Sequence, residues 1–421
     1  MERVLKEKQT AVVIVGAGPA GISTALFLAK KGIRTILIEK ETFPRDKICG
    51  DGLSGWVISM MRRIDPELVT KLQSLPDQLP SFGVRFFAPS MQSIALPYRN
   101  KKYPDDPPGH VIRRIDFDRL LMEEVRKYPL IEVLQGVTVA NLEYTEDGIT
   151  LTDNSGKLRI SASMCVIASG ATSKIARSVG HVKRDDKHQA TGIRQYYTGI
   201  TGCHEGNFVD FYFLNEFLPG YLWVFPLPDG RANVGAGIRT DILKKRKLTL
   251  KSVVEHALKH NPHLAERFKD AQPVSGVSAW NLPLGSKKIS LSGNRFLLTG
   301  DAASLIDPFT GEGVGNALWS GFAAAEHIEK AIQANRFDAA FNKKYDRFVY
   351  HKLWKELRLS TWIQRLINYP RLFNWVMNKV TVDPDLKQSL IRMIDDLDER
   401  KKLAKLSFYI RLLSRRKSNQ E

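Results

Sequence analysis

Gly16, Gly18, Gly21 and Glu39 form the most chemically specific spacing in the chain. In a G-x-G-x-x-G turn the first glycine permits a tight bend, the second lets backbone approach a pyrophosphate, and the third lets a helix pack closely on a strand. The helix that follows directs its free N–H groups and its dipole at the phosphates. An acidic side chain at the position of Glu39 accepts hydrogen bonds from an adenosine ribose. This constellation predicts a dinucleotide site. FAD and NAD share the fingerprint, so on its own it leaves the choice between them open.

Other residue patterns narrow the chemistry. Tyr221, Trp223 and Phe225 alternate with Leu222 and Val224, so a strand here has one aromatic face. Such a face can shape a tunnel for an apolar chain, or it can be ordinary core. The nine histidines include no HExxH or clustered ligand spacing, so no metal site is expected. The absence of a Gly-x-Ser-x-Gly element removes the argument for a hydrolase. Cys49, Cys165 and Cys203 lie far apart and form no CxxC pair, which suits a reducing compartment better than a disulfide framework.

Gly300-Asp301, after an apolar run, resembles the second flavin motif of the p-hydroxybenzoate hydroxylase-like flavoproteins, in which the aspartate binds the ribityl chain. The run Asp307-Pro308-Phe309-Thr310-Gly311-Glu312-Gly313-Val314-Gly315 is similar to that superfamily's loop and helix start beside the isoalloxazine. A helix N-terminus there would stabilise negative charge gathering on a reduced flavin. Within the superfamily, three segments resemble the geranylgeranyl reductase family. They are the cysteine-glycine run Lys47 to Ser54, the R-x-x-F-D element Arg114 to Asp118, and the aromatic run Pro219 to Pro226. Asp51 stands where glycine or glutamate is commoner, and Tyr221 sits one residue nearer its first proline; both departures leave the substrate open.

The resemblance implies FAD as cofactor, contacted by Gly16, Gly18, Ala20, Gly21, Glu39, Lys47, Cys49, Gly50, Gly52, Arg114, Ala168, Gly300, Asp301, Gly313 and Val314. It also implies that Cys49, Tyr221 and Trp223 stand at the substrate face of the flavin. The activity implied is reduction of carbon–carbon double bonds in an isoprenoid or polyprenyl lipid by hydride from reduced FAD, with NADPH or NADH expected as electron donor and a small redox protein as the alternative. The alternative on the same framework is an FAD-dependent monooxygenase that hydroxylates or epoxidises an apolar or aromatic substrate. Tyr221 to Pro226 does not reproduce the WxWxIP motif of flavin-dependent halogenases.

The elements that must position these residues begin with a strand over Ala11 to Val15, a glycine turn, an amphipathic helix through Lys30 and a second strand over Thr35 to Ile38. The β-rich runs from Ile131 to Thr152, broken at Asp147-Gly148, predict a small meander returning through a strand over Met164 to Ala168. Asp186 to Thr240 is rich in aromatic and β-branched residues and predicts a largely antiparallel sheet. A strand over Arg295 to Thr299 and a helix from Gly313 to Gln333 bring the chain back to its first domain. The fold class is α/β. A Rossmann-like FAD-binding domain (1–75, 105–185 and 275–335) carries an inserted antiparallel β-sheet substrate lobe (76–104 and 186–274), and a helical C-terminal region follows (336–421).

At 421 residues and 43% hydrophobic content, the chain is long enough for two or three lobes around a sizeable core. Its formal charge of +18 favours anionic partners, or reflects only a basic soluble surface. No nucleic-acid-binding motif is present, so no nucleic-acid partner is expected, and a non-catalytic basic module has little to recommend it. Arg400 to Lys417 contains eight basic and no acidic residues, with Leu403, Leu406, Ile410 and Leu413 at helical spacing. Such a helix lies on an anionic membrane or packs on the protein with a solvated basic face. The polar segment Met1 to Thr10 lacks signal-peptide features, and no apolar run reads as a transmembrane helix. The expectation is a cytoplasmic protein, with peripheral contact on the inner face of the membrane if the C-terminal helix docks there.

Overall fold

The computed structural model describes residues 5–98, 103–104, 106–179, 185–384 and 386–388. The proposed basic helix at 400–417 lies outside them. The strand Lys6–Val15 starts earlier than its apolar run suggests. It is flanked in parallel by Leu158–Ile167 and Thr35–Glu39, and the parallel core is completed by Phe296–Leu298 on one side and Ile131–Gln135 on the other. Val12, Val13 and Ile14 are fully buried, and each such side chain contributes roughly 2 kcal/mol of apolar burial. The meander is present as Val139–Tyr144, Ile149–Asp153 and Leu158–Ile167 in antiparallel order.

Helix Pro19–Lys30 departs from the amphipathic expectation. Every residue from Pro19 to Ala29 is buried, because helix Val314–Gln333 covers the side that a single sheet would leave in water. Phe27 and Phe322 meet edge to face at 4.9 Å, and Ser23 donates to the Leu318 carbonyl at 2.6 Å. Gly321 makes the contact close, since a Cβ there would stand 2.3 Å from the Ala20 carbonyl oxygen.

A second sheet runs in the order Gln272–Pro273, Gln189–Thr198, Arg231–Arg239, Tyr221–Pro226, Val209–Tyr212, Gly83–Phe87 and Ser93–Pro97. It is antiparallel except where Val209–Tyr212 pairs Gly83–Phe87. Ser278–Pro283 also pairs Gln189–Thr198, so the sheet runs past the expected lobe boundary at residue 274. Alternation along Tyr221–Pro226 sorts the side chains. Leu222 and Val224 face an aliphatic layer closed by helices Leu250–His260 and Pro262–Arg267, while Tyr221, Trp223 and Phe225 face the first domain. A short sheet of Gly52–Leu53, Gly109–Ile112 and Gln78–Ser81 stands between the lobes. Helices Ala339–Leu366 and Pro370–Val382 follow, the second packing Met377 and Val380 on the edge strand Ser93–Pro97. Among the described residues, no helix is long and apolar enough to cross a membrane.

Candidate cofactor and substrate site

Packing dictates two of the three fingerprint glycines and leaves the other open. Gly16 has φ +105°, and a Cβ on it would come within 2.5 Å of the Ala168 carbonyl oxygen. A Cβ on Gly21 would stand 1.9 Å from the Gly16 carbonyl oxygen, whereas nothing lies within 4 Å of one on Gly18. Gly18 is the N-cap of helix Pro19–Lys30 and provides no side-chain cap. The result is a backbone cradle with free space and donors at a helix start, which fits a pyrophosphate. Beside it, buried Glu39 ends its strand and accepts from the Ala17 N–H at 2.8 Å and the Glu41 N–H at 3.1 Å.

Beside the glycine turn is a buried charge cluster. Asp118 accepts from Arg114 Nε and Nη2 at 2.8 and 2.9 Å and from Arg45 Nη1 at 2.7 Å. Burial opposes its charge, but the two guanidinium groups outweigh it and hold the carboxyl below its ordinary range. Arg45 also donates to the Ala17 carbonyl at 3.2 Å and lies 3.9 Å from Glu39 Oε2, linking this cluster to the glycine turn. Burial pushes Lys47 down to about 8, against the opposing pull of Asp301. The Lys47 ammonium stands 3.6 Å above the Trp280 ring. Gly300, at φ +59°, precedes Asp301 where a Cβ would press Ala20 at 3.0 Å. Asp301 is close to the start of helix Val314–Gln333: its Oδ1 is 3.6 Å from where a Gly313 Cβ would be. No Gly313 side chain caps that helix, although Glu312 accepts from the Gly315 N–H at 2.8 Å.

The far end is aromatic. Cβ atoms on Gly50 and Gly52 would each approach the Phe225 ring at 3.1 Å, so the cysteine-glycine segment lies directly on the lobe's aromatic face. Trp223 Nε1 donates to Asn233 Oδ1 at 2.9 Å, and Asn233 Nδ2 donates to the Cys49 carbonyl at 2.8 Å and to Asp51 Oδ2 at 2.7 Å. Tyr196 Oη donates to the same Asp51 oxygen at 2.7 Å. Burial raises Asp51 to about 6, with the bonds from Tyr196 and Asn233 acting the other way. Burial likewise raises the Cys49 thiol. Tyr221 Oη donates to the Thr310 carbonyl at 2.6 Å, fastening the sheet to the loop before helix Val314–Gln333.

The structure brings Gly16, Gly21, Ala168 and Glu39 together at the glycine turn, and seats Gly300 against Ala20 and Gly313 beside Asp301. Gly50 and Gly52 lie on Phe225, with Trp223 also beside Gly50, and this aromatic layer is packed, with Phe211 in edge contact with Tyr221 and Phe225 at 5.0 and 5.2 Å. Sequence reading missed Arg45, Tyr196 and Asn233 as organising residues. Asp118 had a usable signal, lying i+4 from Arg114 on helix Arg114–Val125. Asn233 and Tyr196 had none, because they meet only through the cross-strand pairing of their strands. Among the described residues, no His, Cys, Asp and Glu group could hold a metal ion.

The FAD binding domain family matches residues 9–341, and with this fold the chain is an FAD-dependent oxidoreductase. The chain belongs to the geranylgeranyl reductase family of these flavoproteins. It is 30% identical over 355 residues to the digeranylgeranylglycerophospholipid reductase of Methanosarcina acetivorans, covering 82% of this chain and 80% of that one. It is 26% identical to the menaquinone reductase of Mycolicibacterium smegmatis, covering 75% of each. In fold it is similar to a geranylgeranyl bacteriochlorophyll reductase-like protein from Thermoplasma acidophilum, with TM-score 0.78 and 23% identity over 95% of this chain and 99% of that one. A flavin-dependent brominase also shares the fold, with TM-score 0.75 and 22% identity over 92% of this chain and 93% of that one.

Proposed function

We propose that this protein saturates carbon–carbon double bonds in the isoprenoid tail of a lipid, with NADPH or NADH as the source of electrons. The observation that carries the reading is the seating of the Cys49–Gly52 segment on the aromatic face of Tyr221, Trp223 and Phe225. FAD, when bound and reduced, supplies a hydride. The Gly16–Gly21 turn and Glu39 would hold its adenosine and pyrophosphate, and Asp301 its ribityl chain. Trp223 and Phe225 are each only 9% exposed, so their face is closed to water and forms the apolar wall beside which we place the alkene. Cys49, which burial keeps as the protonated thiol, is the group we place at the alkene as proton holder. The names of the two curated relatives, a digeranylgeranylglycerophospholipid reductase and a menaquinone reductase, support a lipid substrate.

A flavin-dependent brominase shares the fold, so the fold alone does not separate a reductase from a monooxygenase, and the monooxygenase reading needs a direct test. Reduced protein is incubated without oxygen with a panel of geranylgeranyl and polyprenyl lipids. Products heavier by two hydrogens support the proposal. Product formed only in air, with incorporation of labelled oxygen, overturns it in favour of a monooxygenase.

A further inference from the structure

Helix Ala339–Leu366 carries Phe348, Lys355, Arg358, Trp362 and Arg365 at the three- and four-residue spacing of a single helix face. Tyr369 continues the row in the turn before helix Pro370–Val382. All six residues are exposed, and the three aromatics keep 45%, 43% and 64% of their surface in water. The helix is anchored by its other side, where Tyr345, Val349, Leu353 and Leu357 are buried. Between Leu357 and Val382 there is no Asp or Glu, while Arg358, Arg365, Arg371 and Lys379 all fall there. Aromatic rings interleaved with cations suit the boundary between lipid headgroups and acyl chains, where the rings sit at the interface and the cations meet anionic headgroups.

The row ends at the lobe's aromatic layer. Phe373 donates its N–H to the Tyr369 carbonyl at 3.0 Å. Its ring stands 5.1 Å from that of Phe213, which is 5.7 Å from Tyr221. We propose that the row from Phe348 to Tyr369 docks the protein on an anionic lipid bilayer, bringing the outer edge of this aromatic layer to the membrane surface. The inference rests on the isoprenoid-lipid reading for what the docked site would receive. It assigns the contact to a surface other than the Arg400–Lys417 segment.

The test is co-sedimentation of the full-length holoprotein with vesicles of phosphatidylglycerol and phosphatidylcholine. Arg358→Gln/Arg365→Gln is expected to lower the vesicle-bound partition about twenty-five-fold, from roughly fivefold per interfacial cation. Trp362→Ser/Tyr369→Ser is expected to lower it comparably. Both variants should keep the parent's FAD content and its turnover of detergent-dispersed substrate while losing turnover of vesicle-embedded substrate. Vesicle binding needs no turnover, so failure of the reductase reading would leave this readout intact. Parent protein that ignores vesicles, or binds RNA in their place, overturns the proposal. So do row variants that bind like the parent, or a loss confined to Arg411→Gln/Arg415→Gln.

Discussion

The side-chain amide of Asn233 donates to the buried carboxylate of Asp51 at 2.7 Å. The same nitrogen donates to the Cys49 carbonyl, and the amide oxygen accepts from the Trp223 indole. One side chain of the lobe sheet thus fixes both the cysteine-glycine segment and the indole ring beside it. Truncation to Asn233→Ala leaves a buried carboxylate and indole short of partners, an expected cost on the order of 2 kcal/mol. Urea unfolding of parent and variant measures it, and an unchanged midpoint would show that the node carries no weight.

Asp51 gives a pH signature. Its carboxyl is raised to about 6 from 3.8, so between these values the folded chain holds a proton that the unfolded chain has released. Its contribution to stability is present in full at the acid end. It is lost as pH climbs from about 4 to about 6, by on the order of 3 kcal/mol at most. Asp51→Asn removes this component, and the difference between parent and variant melting temperatures across that window is the measurement. Parallel curves would refute the assignment.

The fingerprint glycines should separate binding from folding. A methyl group on Gly18 enters open space, so Gly18→Ala is expected to keep the parent's melting temperature while weakening FAD binding at least tenfold. Gly21→Ala would drive its methyl group against the Gly16 carbonyl, with an expected cost of about 2 kcal/mol or more. Flavin titration and thermal unfolding of the two variants check the split.

Asp118 neutralises two guanidinium groups in the interior. Asp118→Asn leaves Arg114 without its carboxylate partner and Arg45 with Glu39 alone, 3.9 Å away, which costs about 3–5 kcal/mol for a broken buried pair. Chemical denaturation reads this loss, and a variant as stable as the parent would mean the cluster is solvated.

The cysteines should differ in reactivity. Cys203 is exposed, whereas Cys49 is half-buried with a raised thiol. At neutral pH, iodoacetamide is expected to label Cys203 first and Cys49 at least tenfold more slowly, with FAD slowing Cys49 further. Peptide mapping over time follows both sites.

Glycine spacing made the nucleotide end legible from sequence, because the turn around Gly16 and the strand end at Glu39 are local. The aromatic face was equally legible, since strand alternation alone puts Tyr221, Trp223 and Phe225 together. Residues that meet across strands were not. Tyr196 and Asn233 are brought together by register, and Arg45 joins Asp118 across a separation of 73 residues. The burial of helix Pro19–Lys30 was misjudged for the same reason, because the helix that covers it is remote in sequence. Ser278–Pro283 returns to pair Gln189–Thr198 from beyond residue 274, a long-range pairing that no local pattern announces.

That remoteness bears on how the protein is made. Ser23 finds its partner at Leu318, 295 residues downstream, so an emerging chain carries helix Pro19–Lys30 long before the helix that covers it leaves the ribosome. During that interval an apolar helix stays bare, and vulnerability to aggregation should peak in partly synthesised chains.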